Sequence, residues 1–222
     1  MSELTLRDLV DNGTMSASMA GTLRATAHEG HSFAVIAIPR MAGKSTTLHA
    51  MLNERMSGAA VRVVTGAPDE QAALCKSRDG GYLVIPEILG EPSKSAPSEY
   101  IFGEPVRRVF ATLASGYSLA FTTHADGHRE MFDRVSRSNE VADEQCSLIR
   151  LSVYIRSIGE WEHPEKRRVA EVHEVLRVVH GVPEARLLHR WDEATDTFED
   201  VDPPRIIGRG TAAPSSDGRA PD

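Results

Sequence analysis

The feature that most constrains this chain is a strand–turn–helix signal between residues 32 and 58. Residues 32–38 form a continuous apolar run of β-branched and aromatic type, too short for a helix and typical of a strand covered on both faces. Pro39-Arg40-Met41-Ala42-Gly43-Lys44-Ser45-Thr46 follows, and Leu48, Met51, Leu52 and Met56 then recur at helical spacing before Gly58. Small residues ahead of a lysine let successive backbone N–H groups curl around an anion, with a helix N-terminus behind them. In such a loop Lys44 supplies a point charge for phosphate oxygens and Ser45 a hydroxyl for Mg²⁺. Arg40, Met41, Ala42, Gly43 and Thr46 complete the predicted phosphate-contacting set. The pattern G-x-x-x-x-G-K-[ST] lacks its first glycine, because Ile38 stands there. The reading that avoids backbone strain continues the strand through Ile38 and makes the turn from residues 39–43.

The alternation continues downstream. Residues 61–65, 82–88 and 118–124 read as strands, and residues 105–115, 128–138 and 142–149 as helices. Met15, Met19, Leu23 and Ala27 are four apart, which predicts an amphipathic lead-in helix within residues 14–27. Alternating strands and helices imply a parallel sheet with right-handed crossovers. Past residue 150 the period becomes two, with strands at 150–156, 168–179 and 185–191 separated by a turn at Gly181-Val182-Pro183. The predicted fold is therefore α/β: a mainly parallel sheet carrying the phosphate loop, with a C-terminal antiparallel β appendix. The expected divisions are a helical lead-in at 1–30, a core at 31–158, a β extension at 159–202 and a disordered tail at 203–222, rich in Pro and Gly.

Tyr82-Leu83-Val84-Ile85-Pro86-Glu87 is an apolar strand ending in a carboxylate. Beside a phosphate loop, such a terminal acid orients Mg²⁺ or the attacking water, which makes Glu87 a candidate catalytic and metal-binding residue. Thr122-Thr123-His124 ends the next apolar strand at the same carboxyl edge, where ligands collect in open α/β sheets. His124 is thus a candidate contact to the terminal phosphate. A second possible use of this segment is a metal set of His124, Asp126 and His128 around Gly127. Arg107 and Arg108 are candidate arginine fingers, and Arg107, Arg134 and Arg137 candidate lid arginines of a small kinase. The acid-rich residues 192–202 lack the glycine of a calcium loop and read as an acidic hairpin.

With 25 Lys+Arg against 32 Asp+Glu, a net charge of −7, the chain is no bulk-electrostatic nucleic-acid binder. No apolar run approaches the roughly 20 residues of a membrane helix. Residues 1–4 lack the features of a signal peptide, and Cys75 and Cys146 form no C-x-x-C pair. A reducing cytoplasm is the expected compartment.

The ordered segments A-G-K-S-T, L-V-I-P-E-I and G-Y-S-L-A-F-T-T-H-A-D resemble the Walker A end, the Walker B strand and the histidine box of the type II/type IV secretion ATPase superfamily, the motors of pilus assembly and secretion. R-R-V-A-E-V-H-E-V at residues 167–175 is similar to a C-terminal strand of several branches. The resemblance implies ATP and Mg²⁺ as ligands, phosphate and metal contacts from Gly43, Lys44, Ser45 and Thr46, catalysis by Glu87 and nucleotide sensing by His124. It also implies a RecA-like P-loop NTPase core and a homo-oligomeric ring of the hexamer type that serves membrane-associated secretion or pilus machinery without inserting into the bilayer. The family's acidic box should fall at residues 65–70, where the acids are displaced to Asp69 and Glu70. The alternatives are a nucleotide-binding scaffold of weak or no turnover and a small P-loop kinase; a GTPase would need an N-K-x-D motif that is missing.

Overall fold

The computed structural model describes residues 4–160 and 162–208. Its centre is β1 (Ser32–Ile36), whose five residues are all buried. Period-two geometry sends Phe33 and Val35 to one apolar cluster and Ala34 and Ile36 to the other, so both faces of the strand need a cover. Helices α1 (Leu6–Asp11), α2 (Ala17–His28) and α3 (Lys44–Leu52) supply the first, through Leu6, Met19, Leu23, Leu48 and Met51. Helices α4 (Pro68–Ser77), α5 (Glu104–Thr112), α6 (His128–Phe132) and α7 (Asp143–Cys146) supply the second, through Leu74, Val106, Val109, Phe110, Phe132 and Cys146.

The remaining strands are β2 (Val61–Val63), β3 (Tyr82–Ile85), β4 (Glu87–Ile88), β5 (Tyr100–Ile101), β6 (Ser118–Thr123), β7 (Ile149–Gly159), β8 (Pro164–Val179), β9 (Val182–Asp192) and β10 (Thr197–Asp200). The main sheet runs β10-β9-β8-β7-β1-β6-β3-β2. Pairings from β2 to β7 are parallel, those from β7 to β10 antiparallel, so the α/β core and its antiparallel appendix form one continuous sheet. The predicted fold class is the observed one.

The differences from the sequence reading have local causes. β1 stops at Ile36 rather than running through Ile38, which is 52% exposed. The strand expected over residues 82–88 breaks at Pro86, which has no N–H to give to a ladder. Glu87 and Ile88 instead pair with Tyr100 and Ile101 in a separate two-stranded ladder. The predicted helix over 128–138 widens into a π turn at Asp133–Ser138. The β8–β9 turn is His180-Gly181, both at positive φ (53° and 73°), the signature of a type I′ hairpin; Val182 and Pro183 already belong to β9.

Helices α1 and α4 were not anticipated. The first has a full capping box between Thr5 and Asp8, and the second buries only Leu74 among its ten residues, leaving little periodicity to detect. The acidic hairpin appears as the β9–β10 pair. Where a loose tail was expected from residue 203, the backbone N–H groups of Arg205, Ile206 and Ile207 donate to the fully buried Glu174 carboxylate, and Ile207 is buried. Residues 209–222 lie outside the described residues.

Candidate functional site

The loop between β1 and α3 turns on two left-handed residues, Met41 (φ 64°) and Gly43 (φ 96°). Gly43 is the N-cap of α3 and Lys44 its first residue; no side chain caps this end, so its first N–H groups are free to meet an anion. The positive φ at Gly43 favours glycine, and a β-carbon there would lie 3.2 Å from Arg167 Cδ, a tight contact with that side chain. Ile38, in contrast, is not at positive φ, and the missing first glycine of the motif leaves no strain at this position. Ala42 and Lys44 are buried, Thr46 is half-buried, and Arg40, Met41 and Ser45 are exposed.

Lys44, Glu87 and His124 converge although they lie on three separate segments. Lys44 Nζ is 3.8 Å from Glu87 Oε2 and 3.3 Å from His124 Nε2. His124 Nδ1 lies 2.6 Å from the Ile38 carbonyl, to which a ring protonated on Nδ1 donates, and Lys44 Nζ lies 3.3 Å from Nδ1 as well as from Nε2. Burial lowers the Lys44 pKa below the ordinary lysine range; Glu87 opposes that shift and the charge of Arg40 adds to it. Glu87 is only 3% exposed. Its Oε2 accepts from Thr122 Oγ1 at 2.7 Å, while its Oε1 is buried without a hydrogen-bond partner. Thr123 Oγ1 donates to the Ile88 carbonyl, so the paired threonines at the end of β6 hold β4 in place.

These groups open on a cleft of about 970 Å³. Residues 40–47, Glu87 and His124 all line it. The lining also includes Ser93, Ser95, Ala96, Pro97 and Tyr100, and the start of β8 at Glu165, Lys166, Arg167 and Arg168. Arg167 Nε donates to the Met41 carbonyl at 2.9 Å. Sequence reasoning missed Arg167 and Thr122. Arg167 lies 126 positions from Met41, and no local pattern marks the contact; for Thr122, the Thr-Thr pair closing an apolar strand was the available signal.

Several other candidates fall elsewhere. Arg107 binds Glu140 and the Asn139 carbonyl, and Arg108 binds Glu104 and the Gly66 carbonyl. Arg134 and Arg137 pair with Glu130 and Asp133. None of the four lines the cleft. Glu70 Oε2 accepts from the N–H groups of Thr65 and Gly66, and Asp69 is exposed; neither acid lines the cleft either.

The His124, Asp126 and His128 metal set does not form. Asp126 accepts from Tyr154, His128 is drawn into the interior beside Ser152 Oγ and stacks on His173 with centroids 4.5 Å apart, and no group of three candidate ligands occurs among the described residues. Burial pushes the His128 pKa down to about 3, helped by His173 and Arg129, and burial lowers His173 to about 4. Both cysteines are free thiols. No helix among the described residues is long and apolar enough to cross a membrane.

Comparison with known proteins agrees with the fold. No protein-family model matches the sequence, and no curated protein matches it. Among solved structures, the chain is similar to the Legionella pneumophila ATPase DotB (TM-score 0.51, 13% identity, 78% of this chain and 52% of that one). It is also similar to the VirB11 ATPase of the Brucella suis type IV secretion system in complex with sulphate (TM-score 0.47, 15% identity, 78% and 57%). The chain thus spans little more than half the length of either protein. What it shares with DotB is the fold: a mainly parallel α/β core continued by C-terminal antiparallel strands.

Proposed function

We propose that this protein binds ATP with Mg²⁺ in the cleft above α3 and hydrolyses it as a motor of the secretion or pilus type. The observation that carries the reading is the meeting of Lys44, Glu87 and His124 in front of the open N-terminus of α3. Backbone N–H groups of residues 42–46 would cradle the phosphates. The Lys44 ammonium, now shared between Glu87 and His124, would turn to the β- and γ-phosphate oxygens as they enter.

The donor set fits a hard divalent cation. Ser45 is an exposed hydroxyl on the first turn of α3, and Glu87 Oε1 is a buried carboxylate oxygen lacking the partner that a cation-bound water would provide. Bound there, Mg²⁺ would neutralise phosphate charge. Glu87, held by Thr122, orients the water whose oxygen attacks the γ-phosphorus as the bond to the bridging oxygen breaks and ADP leaves. His124, tied to the Ile38 carbonyl, is placed to report whether the terminal phosphate is present.

The working form is a homo-oligomeric ring of the hexamer type in the cytoplasm, serving membrane-associated secretion or pilus machinery. The exposed apolar side chains of Ile38 and Met41 at the mouth of the cleft support a neighbour there, since a closed heterologous interface covers such a rim on every subunit.

Phosphate release from Mg-ATP by the wild type, Lys44→Ala and Glu87→Gln tests the reading. Lys44→Ala is expected to lose binding and Glu87→Gln to keep binding while losing at least about 100-fold in turnover, the scale of one electrostatic contributor to a transition state. Equal rates from all three sink the catalytic assignment. ATP bound tightly by a wild type that releases no phosphate favours a nucleotide-binding scaffold instead, a reading supported by the absence of Asp69 and Glu70 from the cleft.

A further inference from the structure

Three consecutive basic residues open β8, and they are used differently. Lys166 and Arg168 both pair with Asp196 across the β appendix. Arg167 has neither pairing. Its stem lies over Gly43, its Nε holds the Met41 carbonyl at the crest of the phosphate loop, and among the described residues no carboxylate lies within the 4 Å of an ion pair. Among the described residues its Nη1 and Nη2 groups make no hydrogen bond to protein, although the side chain lines the same cleft as Lys44.

A half-buried guanidinium beside a phosphate loop, braced by one nitrogen and with two left over, is arranged for an anion, because the planar fork of arginine matches phosphate oxygens two at a time. Arg107, Arg108, Arg134 and Arg137, the arginines considered as fingers or lid residues, are each already bound to a carboxylate outside the cleft.

We propose that Arg167 is the phosphate-reading arginine of this site, supplied in cis by the β extension, and that its ligand is the terminal phosphate of a nucleoside triphosphate. The proposal rests on the nucleotide reading given above. Nε fixes the loop through Met41, and Nη1 and Nη2 take the terminal phosphate oxygens. Binding of a triphosphate then fastens β8 to the loop, and loss of that phosphate leaves only the Met41 contact. The appendix is coupled to the nucleotide state through this side chain.

The test is equilibrium binding of Mg-ATP and Mg-ADP to the wild type, Lys44→Ala, Arg167→Gln and Arg167→Lys, each shown by circular dichroism to be folded. Arg167→Gln is expected to weaken ATP by about 10- to 100-fold, the worth of one charge-assisted hydrogen bond, with ADP changed by less than about threefold. Arg167→Lys, which keeps a charge but not the fork, should recover part of the preference for ATP. Equal losses for ATP and ADP in Arg167→Gln would reduce Arg167 to a brace for the loop and overturn the proposal. Unchanged ATP affinity in Arg167→Gln, with both nucleotides lost in Lys44→Ala, overturns it while the nucleotide site stands. A wild type that binds neither nucleotide removes both readings together.

Discussion

Strands β1 and β8 reach the same cleft in opposite ways. β1 has five residues, all buried on both faces, so no side chain along its length can touch a ligand; what it delivers is a backbone, aimed from its carboxyl end into the phosphate loop. β8 has sixteen residues, more exposed at its start and mostly buried from Val169 to Val175, and it delivers a long side chain from near its amino end. The parallel half of the sheet concentrates chemistry at one edge, as Glu87 and His124 also illustrate at the ends of β3 and β6. The antiparallel half can project charge from anywhere on its exposed positions.

The sharpest way to break this contrast is to truncate one apolar side chain in each strand. Phe33 is fully buried and packs on Tyr82 with ring centroids 5.7 Å apart, whereas Val179, at the end of β8, is 38% exposed. Phe33→Ala is expected to cost about 3–5 kcal/mol in urea unfolding, and Val179→Ala less than about 1 kcal/mol. Comparable losses would mean that the two halves are equally committed to the core.

The same contrast explains what could be read from the chain alone. Runs such as Phe33-Ala34-Val35-Ile36 announce buried parallel strands, and chemistry at a strand end is marked by the change from apolar to polar, so Lys44, Glu87 and His124 were legible in order. Their convergence on one cleft follows from the sheet order, with β1 beside β6 and β6 beside β3. Arg167 was not legible, because an exposed arginine on an alternating strand looks like any solvated charge until the register places it over the loop. The break at Pro86 was written in the sequence but outweighed by the apolar residues around it. The capture of residues 205–207 by Glu174 joins positions about 30 apart without any periodic signal.

The seam between the halves carries a pH dependence. His128 of α6 stacks on His173 of β8 beside Ser152 of β7 and Phe132, with Glu171 Oε2 3.8 Å from His173 Nε2 and Arg129 adding positive charge. His128 Nε2 and His173 Nδ1 are buried without partners. Their folded pKa values, about 3 and about 4, are depressed from 6.5, so the unfolded chain binds more protons than the folded one between those limits. Stability is therefore full above pH 6.5 and falls as the pH drops toward 4, each histidine removing about 1.4 kcal/mol per pH unit. Urea unfolding at pH 7.5, 6.0 and 5.0 measures this slope, and His173→Leu is expected to remove about half of the pair's share. A slope unchanged in His173→Leu would show that the seam is not proton-sensitive.

The smallest expected effect concerns the position where the loop departs from its motif. Ile38 is half exposed, is not at positive φ, and contributes to the site only its carbonyl, which accepts from His124 Nδ1. Glycine at this position would keep that carbonyl and remove a side chain that contacts little, while adding freedom to the unfolded chain. Ile38→Gly is accordingly expected to cost about 0.5–1 kcal/mol in stability and to change Mg-ATP affinity by less than about twofold. A tenfold gain in affinity would mean that the isoleucine side chain holds the loop away from its phosphate-binding shape. An unchanged affinity places the work of the loop where β1 delivers it, in the backbone of residues 39–43 and in Lys44, with the left-handed turn made at Met41 and Gly43 rather than at the position where the motif expects its first glycine.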